Sequence, residues 1–245
     1  MIQSVSRAID ILRCFENREL LGITEIAEMT DLNKSTAFGI AATLLAEGLL
    51  EQDPETGRYR LGLELFRLGN LVNTSTRRLV VPELDRLVAE LGETVNYVRR
   101  DGGDVVYLIK KESSHSMRIC TKIGQRLPLY CTAVGKAILA HLPAGECAQI
   151  LSEFRFDAYT EHTVPDAAAL RLQMQQILRS GYAVEREEFE YGLVCVAVPV
   201  LNDRGYPTAA ISCSGPKDRM TEEKVAQCRA ALTACAKHLA SILPN

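Results

Sequence analysis

The chain has 245 residues, 47% of them hydrophobic and 24% charged, which fits a globular protein of one or two domains. No apolar run reaches the ~18 residues of a membrane span, and the start MIQSVSRAID lacks the apolar stretch of a secretory signal, so a cytoplasmic protein without a membrane partner is expected. A net charge of −3 gives no global sign of nucleic-acid binding, so any such case must be local. The eight cysteines contain no C-x-x-C pair and read as buried free thiols. The four histidines show no ligand spacing, so neither a metal nor another cofactor is expected.

In chain order, Ser4 reads as the cap of a first helix with Val5, Ala8, Ile9, Leu12 and Phe15 on one face. Thr24 reads as a second start, followed by Glu25, Ile26, Ala27 and Met29, and the turn TDL leads to a third helix. Asn33 suits the N-cap of that helix, and Gly48 suits the left-handed residue that closes it. Two short helices joined by a tight turn are a helix-turn-helix signature. LLEQ, the turn DPETG and RYRLG then form a hairpin, and a hairpin after the third helix makes a wing.

On a helical wheel, Ala37, Ile40, Ala41, Leu44 and Gly48 share the core side of the third helix. Ser35, Gly39, Ala42 and Ala46 point away from it, flanked by Phe38 and Thr43. This outward face is small and nearly uncharged, unlike an ordinary solvated face. It suits a helix whose backbone lies close to the DNA major groove. Gly39, which costs about 1 kcal/mol relative to alanine in a helix interior, would permit that approach. Phe38 can pack on a thymine methyl, and Ser35 and Thr43 can hydrogen-bond base edges or phosphates. Lys34, beside the helix N-terminus, suits phosphate. Arg58 and Arg60 are expected to face outward on the wing toward phosphate or the minor groove, with Tyr59 and Leu61 inward. Residues 1–80 hold nine Lys/Arg against eleven Asp/Glu, so the electrostatic support is modest.

The segment LGLELFRLGNLVN continues helically with the stripe Leu61, Leu65, Leu68 and Val72. So short a stripe needs a partner, either the DNA-binding domain or a second copy of itself. TSTRR breaks the pattern, and Pro82 is expected to open the next helix, with Leu84, Leu87, Val88 and Leu91 inward and Gly92 as its stop. TVNYVRR, DGGD and VVYLIKK read as a hairpin, MRICTKI as a strand, GQRLPLYCTA as a loop and VGKAILAHL as a helix. A helix from Asp166 to Ser180, the strand YAVEREE, the antiparallel pair LVCVAVPVL and YPTAAISCSG, and a final helix capped by Thr221 follow. The second half is therefore an α+β domain of antiparallel pairs and helices.

Several stretches, in this order, carry a resemblance. They are QSVSRAIDIL at 3–12, ITEIAE at 23–28, NKST at 33–36, GRYRLG at 57–62, GETV at 92–95, PLYCTAVGKAILA at 128–140, GYAVEREE at 181–188, GLVCVAVPV at 192–200 and AAISCSGP at 209–216. The chain resembles the IclR family of bacterial transcription regulators over nearly its whole length. The resemblance implies a winged helix-turn-helix DNA-binding domain over 1–62, a linker helix over 63–76 and a GAF-like effector-binding domain over 77–245. It implies a homodimer or homotetramer on double-stranded operator DNA, most commonly as a repressor. It places effector contacts at Ala133, Val134, Glu185, Cys195, Ser212 and Ser214, and adds Thr36, in the KST start of the recognition helix, to the candidate DNA contacts.

The chemistry of those positions is coherent in itself. The helix N-terminus near Thr132 and Ala133 favours an anion such as a carboxylate. Ser212 and Ser214 face the same side of a strand. Glu185 would repel an anionic ligand unless it is protonated or accepts a hydrogen bond from a ligand hydroxyl. A small, hydroxylated organic acid is therefore the expected effector. One departure matters: many family members have arginine where this chain has Gly39, so a bidentate guanine contact is lost there. Base choice either moves to Phe38, Ser35, Thr43 and the wing or is read partly through DNA shape. Two rival readings are an enzyme with Cys195 as nucleophile, which lacks a histidine motif, and an interaction or sensor module without DNA binding. Twofold pairing of winged helices predicts a pseudo-palindromic operator.

Overall fold

Three helices open the chain, α1 (Gln3–Arg13), α2 (Ile23–Met29) and α3 (Lys34–Ala46). The hairpin strands β1 (Leu50–Gln52) and β2 (Tyr59–Leu61) and the helix α4 (Leu63–Leu71) follow. The computed structural model describes residues 2–72, 74–117 and 121–243. It divides into two units, Met1–Thr74 and Ser75–Asn245.

The first unit is built around Ile11, Leu21, Ile26, Ala41, Leu44, Leu50 and Tyr59. Asn33 caps α3, its side chain accepting from the Thr36 N–H at 2.8 Å. The residue that turns the chain between α2 and α3 is Asp31, at φ 51°. Two helix starts differ from expectation. α1 begins after Ile2 without a side-chain cap, leaving Ser4 inside its first turn. α2 begins after Gly22, whose N–H donates to the Glu25 carboxylate at 2.8 Å, so Glu25 reaches back past Thr24. Of the inward face expected here, Ala8 and Leu12 pack against the core and Phe15, just beyond α1, is buried, whereas Val5 and Ile9 are exposed and Ile11 is the buried residue of the helix.

In the hairpin, Leu50 and Tyr59 are buried in the core, whereas Leu61, opposite Leu50, is 44% exposed instead of inward. Leu21 and Tyr59 exchange backbone hydrogen bonds of 3.0 and 2.8 Å, fastening the loop before α2 to the wing. The start of α4 is seated tightly: a Cβ on Gly62 would fall 2.1 Å from the Gly48 carbonyl oxygen. No residue of α4 is buried, so the stripe through Leu65 and Leu68 covers no core. The expected helix over 63–76 is interrupted, since Val72 adopts extended backbone after Leu71.

The second unit starts with α5 (Thr74–Leu91). TSTRR forms its N-terminal turns instead of breaking the pattern, and Pro82 lies inside the helix instead of opening it. Packing of Val80, Leu84, Leu87 and Leu91 into the core holds the helix through the proline. Six strands follow, β3 (Thr94–Asp101), β4 (Asp104–Lys111), β5 (Arg126–Pro128), β6 (Ala183–Arg186), β7 (Leu193–Leu201) and β8 (Pro207–Pro216). They form one antiparallel sheet in the order β5-β4-β3-β8-β7-β6. The strand expected over MRICTKI is not observed: residues 118–120 lie outside the described residues, and Thr121–Ile123 are irregular. The edge strand instead falls at Arg126–Pro128, inside the stretch read as a loop, because it is there that the chain pairs with β4.

Helices α6 (Ala133–His141), α7 (Ala144–Glu153), α8 (Ala167–Ser180) and α9 (Glu222–Ile242) complete the unit, α7 without a sequence-level counterpart. Alternation along the strands splits the core in two. Val95, Tyr97, Val196, Ile211 and Cys213 pack with α5 and α9. Val98, Val105, Ala197 and Ala210 pack with α6, α7 and α8. Thr132, Asp166 and Thr221 cap α6, α8 and α9 through their side chains, and Gly181 ends α8 in left-handed backbone.

Candidate functional site

The third helix presents the face the wheel predicts. Ala37, Ala41 and Leu44 are buried, while Lys34, Ser35, Phe38, Gly39, Ala42 and Thr43 are exposed and Thr36 is half-buried. Two hydroxyls on it are engaged locally: Ser35 donates to the Asn33 side chain at 2.8 Å, and Thr43 donates to the Gly39 carbonyl at 3.1 Å. A Cβ on Gly39 would meet nothing within 4 Å, in contrast to Gly62. The packing of the unit therefore does not require glycine at 39.

Of the two wing arginines, Arg60 is exposed as expected and Arg58 is not simply outward. Arg58 turns back onto α2, its Nη2 donating to Glu25 at 2.6 Å and to the Leu20 carbonyl at 3.3 Å. Its Nε is buried without a partner. Arg60, opposite Glu51 on the facing strand, donates to that carboxylate at 3.1 Å. Arg58 thus works as a clasp between wing and α2, while the exposed Arg60 pairs with the half-buried Glu51.

In the second unit, the sheet face toward α6 becomes polar where β6, β7, β8 and β3 run side by side. The register places Glu185 opposite Cys195, Cys195 opposite Ser214, and Ser214 opposite Thr94. One step along, Asn96 stands opposite Ser212 and donates to its hydroxyl at 3.3 Å. The N-terminus of α6 closes over this row. A cavity of about 240 Å³ lies between them, and Ala133, Val134, Glu185, Cys195, Ser212 and Ser214 all line it. Thr132, at the helix N-terminus read from the sequence, also lines it, and among its other walls are Tyr107, Gln125, Leu127 and Phe189, which the sequence did not suggest because they come from strand faces and loops distant in the chain. For Asn96, a polar residue in the otherwise apolar strand TVNYV was the available signal.

Glu185 is 1% exposed, and its Oε1 accepts from the backbone N–H groups of Glu188 and Phe189 at 2.5 and 3.2 Å. Burial pushes its carboxyl up to about 7, against the opposing pull of those two N–H groups and of Lys136. Burial also raises the Cys195 thiol well above its ordinary value, with the Glu185 carboxylate adding to the effect. Behind the cavity, the ammonium of Lys136, also 1% exposed, pairs with Glu188 and donates to Gln173 at 2.9 Å. That pair ties α6 to the loop bearing Phe189, so one buried contact shapes two walls of the cavity.

Residues 4–54 match the IclR helix-turn-helix domain, and residues 69–241 match the bacterial transcriptional regulator IclR C-terminal domain. The chain belongs to the IclR family. It is 35% identical over 232 residues to the HTH-type transcriptional regulator XynR of Escherichia coli strain K12, covering 94% of this chain and 92% of XynR. The crystal structure of an IclR regulator from Alicyclobacillus acidocaldarius aligns with a TM-score of 0.88 and 28% identity, covering 98% of each chain. An IclR homologue from Microbacterium hydrocarbonoxydans, complexed with 4-hydroxybenzoate, shares the fold with a TM-score of 0.85 at 23% identity, covering 98% of this chain and all of that one. IclR-family membership makes the chain a DNA-binding transcriptional regulator, not an enzyme, and disfavours a module that does not bind DNA. Among the described residues, no helix is long and apolar enough to cross a membrane.

Proposed function

We propose that this IclR-family regulator represses its target by binding a pseudo-palindromic operator as a homodimer or homotetramer, under control of a small organic acid held in the second unit. The observation that carries the effector half is the convergence of Ala133, Val134, Glu185, Cys195, Ser212 and Ser214 on one cavity. The first turn of α6 favours the ligand carboxylate. Ser212, Ser214 and Glu185 suit ligand hydroxyl groups, so a hydroxylated acid fits better than a plain aliphatic one. The homologue complexed with 4-hydroxybenzoate is itself a hydroxy-acid complex, within the same fold.

Candidate DNA contacts are Lys34, Ser35, Thr36, Phe38 and Thr43 on α3, with Gly39 allowing close approach and Arg60 on the wing. Arg58 supports the wing from behind. A ligand that binds one arrangement of the effector domain better shifts the population toward it, and so changes operator affinity. A thermal-shift screen against sugar acids, hydroxy acids and aromatic acids tests the reading. A ligand at a hundred times its Kd adds about 2.7 kcal/mol of stability. The expected hit disappears in Ser214→Ala and Glu185→Ala and changes operator affinity. Strongest binding by acids without hydroxyls would refute the hydroxy-acid assignment.

A further inference from the structure

The start of α4 is fastened to the wing through one carboxylate. Glu51 on β1 accepts from Arg60 Nε at 3.1 Å through one oxygen and from the backbone N–H of Leu63, the first residue of α4, at 3.3 Å through the other. Two backbone bonds reinforce the junction, from the Gly62 N–H to Leu49 at 2.9 Å and from the Glu64 N–H to Gly48 at 3.3 Å. The wing, the end of α3 and the start of α4 therefore meet at Glu51. The two wing arginines are held differently. Arg58 has two acceptors behind the wing and a buried Nε, so moving it would break several contacts. Arg60 donates to Glu51 and has the Asp53 carboxylate nearby as a second negative charge, and the Arg60 and Glu51 side chains are both at least one-third exposed.

We propose that Glu51 hands Arg60 over to a DNA phosphate when the regulator binds, and then serves α4 alone. In the free chain Glu51 neutralises Arg60 and keeps it out of reach of nonspecific anions. On DNA, a phosphate replaces the carboxylate as partner of the guanidinium. The Glu51 charge, released from Arg60, then acts undivided on the N-terminal amides of α4, where an anion is favoured. Glu51 is in this sense a positioning residue that reports DNA contact to the helix leading out of the DNA-binding unit. The inference rests on the reading of that unit as the DNA binder.

The test uses the full-length protein and a fluorescent 30-base-pair duplex of random sequence, titrated by anisotropy across a salt series. The logarithm of affinity falls linearly with the logarithm of salt, by about 0.9 for each phosphate neutralised. Arg60→Gln is expected to make that slope shallower by about 0.9 per DNA-bound wing. Glu51→Gln is expected to keep the slope and tighten binding about two- to fivefold, the range set by loss of one exposed ion pair. In the Arg60→Gln background, the gain from Glu51→Gln should shrink to that of removing one unpaired negative charge. Hydrogen exchange in a peptide covering residues 63–67 should slow on adding DNA in the wild type, and slow less in Glu51→Gln. An unchanged slope in Arg60→Gln would overturn the handover, as would an equal gain from Glu51→Gln in both backgrounds. Equal slowing of the α4 peptide in wild type and Glu51→Gln would overturn the link to α4. A wild type that binds no duplex even at low salt would instead overturn the DNA-binding reading itself.

Discussion

Replacing Gly39 with alanine should move stability and DNA affinity in opposite directions. Gly39 occupies the middle of α3, on the exposed face, and an added methyl meets nothing within 4 Å. The substitution therefore brings the full propensity gain, about 1 kcal/mol for a helix interior, with no offsetting clash. Part of that gain comes from restricting the unfolded chain. It corresponds to about fivefold slower hydrogen exchange in α3 wherever exchange proceeds through unfolding of this unit. A shift of about 4–8 °C in the unit's calorimetric transition should accompany it. The same methyl would stand between the helix backbone and the groove floor. Operator affinity should then fall about fivefold, the low end of the cost of one disturbed base contact. The salt slope should stay constant, because no phosphate contact is lost. The assay pairs hydrogen-exchange mass spectrometry with anisotropy titrations on duplexes that the wild type selects from a random pool. A variant that gains stability and keeps wild-type affinity would refute close approach as the reason for Gly39. A variant that loses stability would refute the open geometry itself.

Glu185 makes stability depend on pH. Its carboxyl is raised to about 7 from an ordinary 4.5, so the folded state holds a proton that the unfolded state has released. Stability should fall by up to about 3 kcal/mol as pH rises from 4.5 through 7 and then level off. Denaturant melts of Glu185→Gln should lose that component of the slope; an unchanged profile would contradict the assignment. Lys136→Met strands the buried Glu188, and breaking such a pair costs about 3–5 kcal/mol. Because Glu188 can escape by protonation, the loss should be larger at pH 8 than at pH 5, and urea melts at the two values would show whether it is. Gly135→Ala would place a Cβ 2.3 Å from the Leu129 carbonyl oxygen and 2.4 Å from its Cα. The expected result is a loss of at least about 3 kcal/mol and a distorted start of α6, since backbone cannot yield as a side-chain tip can. A thermal midpoint near wild type would show that the α6 turn is looser than described.

Local signals located most of the helices because their causes are local. Asn33, Asp166 and Thr221 each sit where a side chain must satisfy a first-turn amide, and Gly48, Gly92 and Gly181 each take the left-handed backbone that ends a helix. The same reasoning failed where a distant contact decided. Pro82 reads as a helix start, yet apolar burial on both sides of it carries α5 through. Arg126–Pro128 reads as loop until pairing with β4 makes it a strand. Val5 and Ile9 have helical spacing, but the side of α1 that meets the core is set by Ala8, Ile11 and Leu12.

The effector pocket divides in the same way. Strand alternation alone puts Ser212 and Ser214 on one side, and the TAVGKA segment announces a helix N-terminus. Only the antiparallel register sets Glu185, Cys195 and Ser214 in a row, and only burial raises the Glu185 carboxyl. The sequence put Arg58 outward on the wing; that it clasps Glu25 depends on α2 folding against the hairpin, a contact distant in the chain. By itself the sequence determined the family, the helix boundaries with strong caps and the small outer face of α3, all consequences of residues near one another in the chain. Tertiary structure decided which charges are paired and which walls close the cavity, since electrostatics and burial depend on neighbours that the chain brings together only on folding.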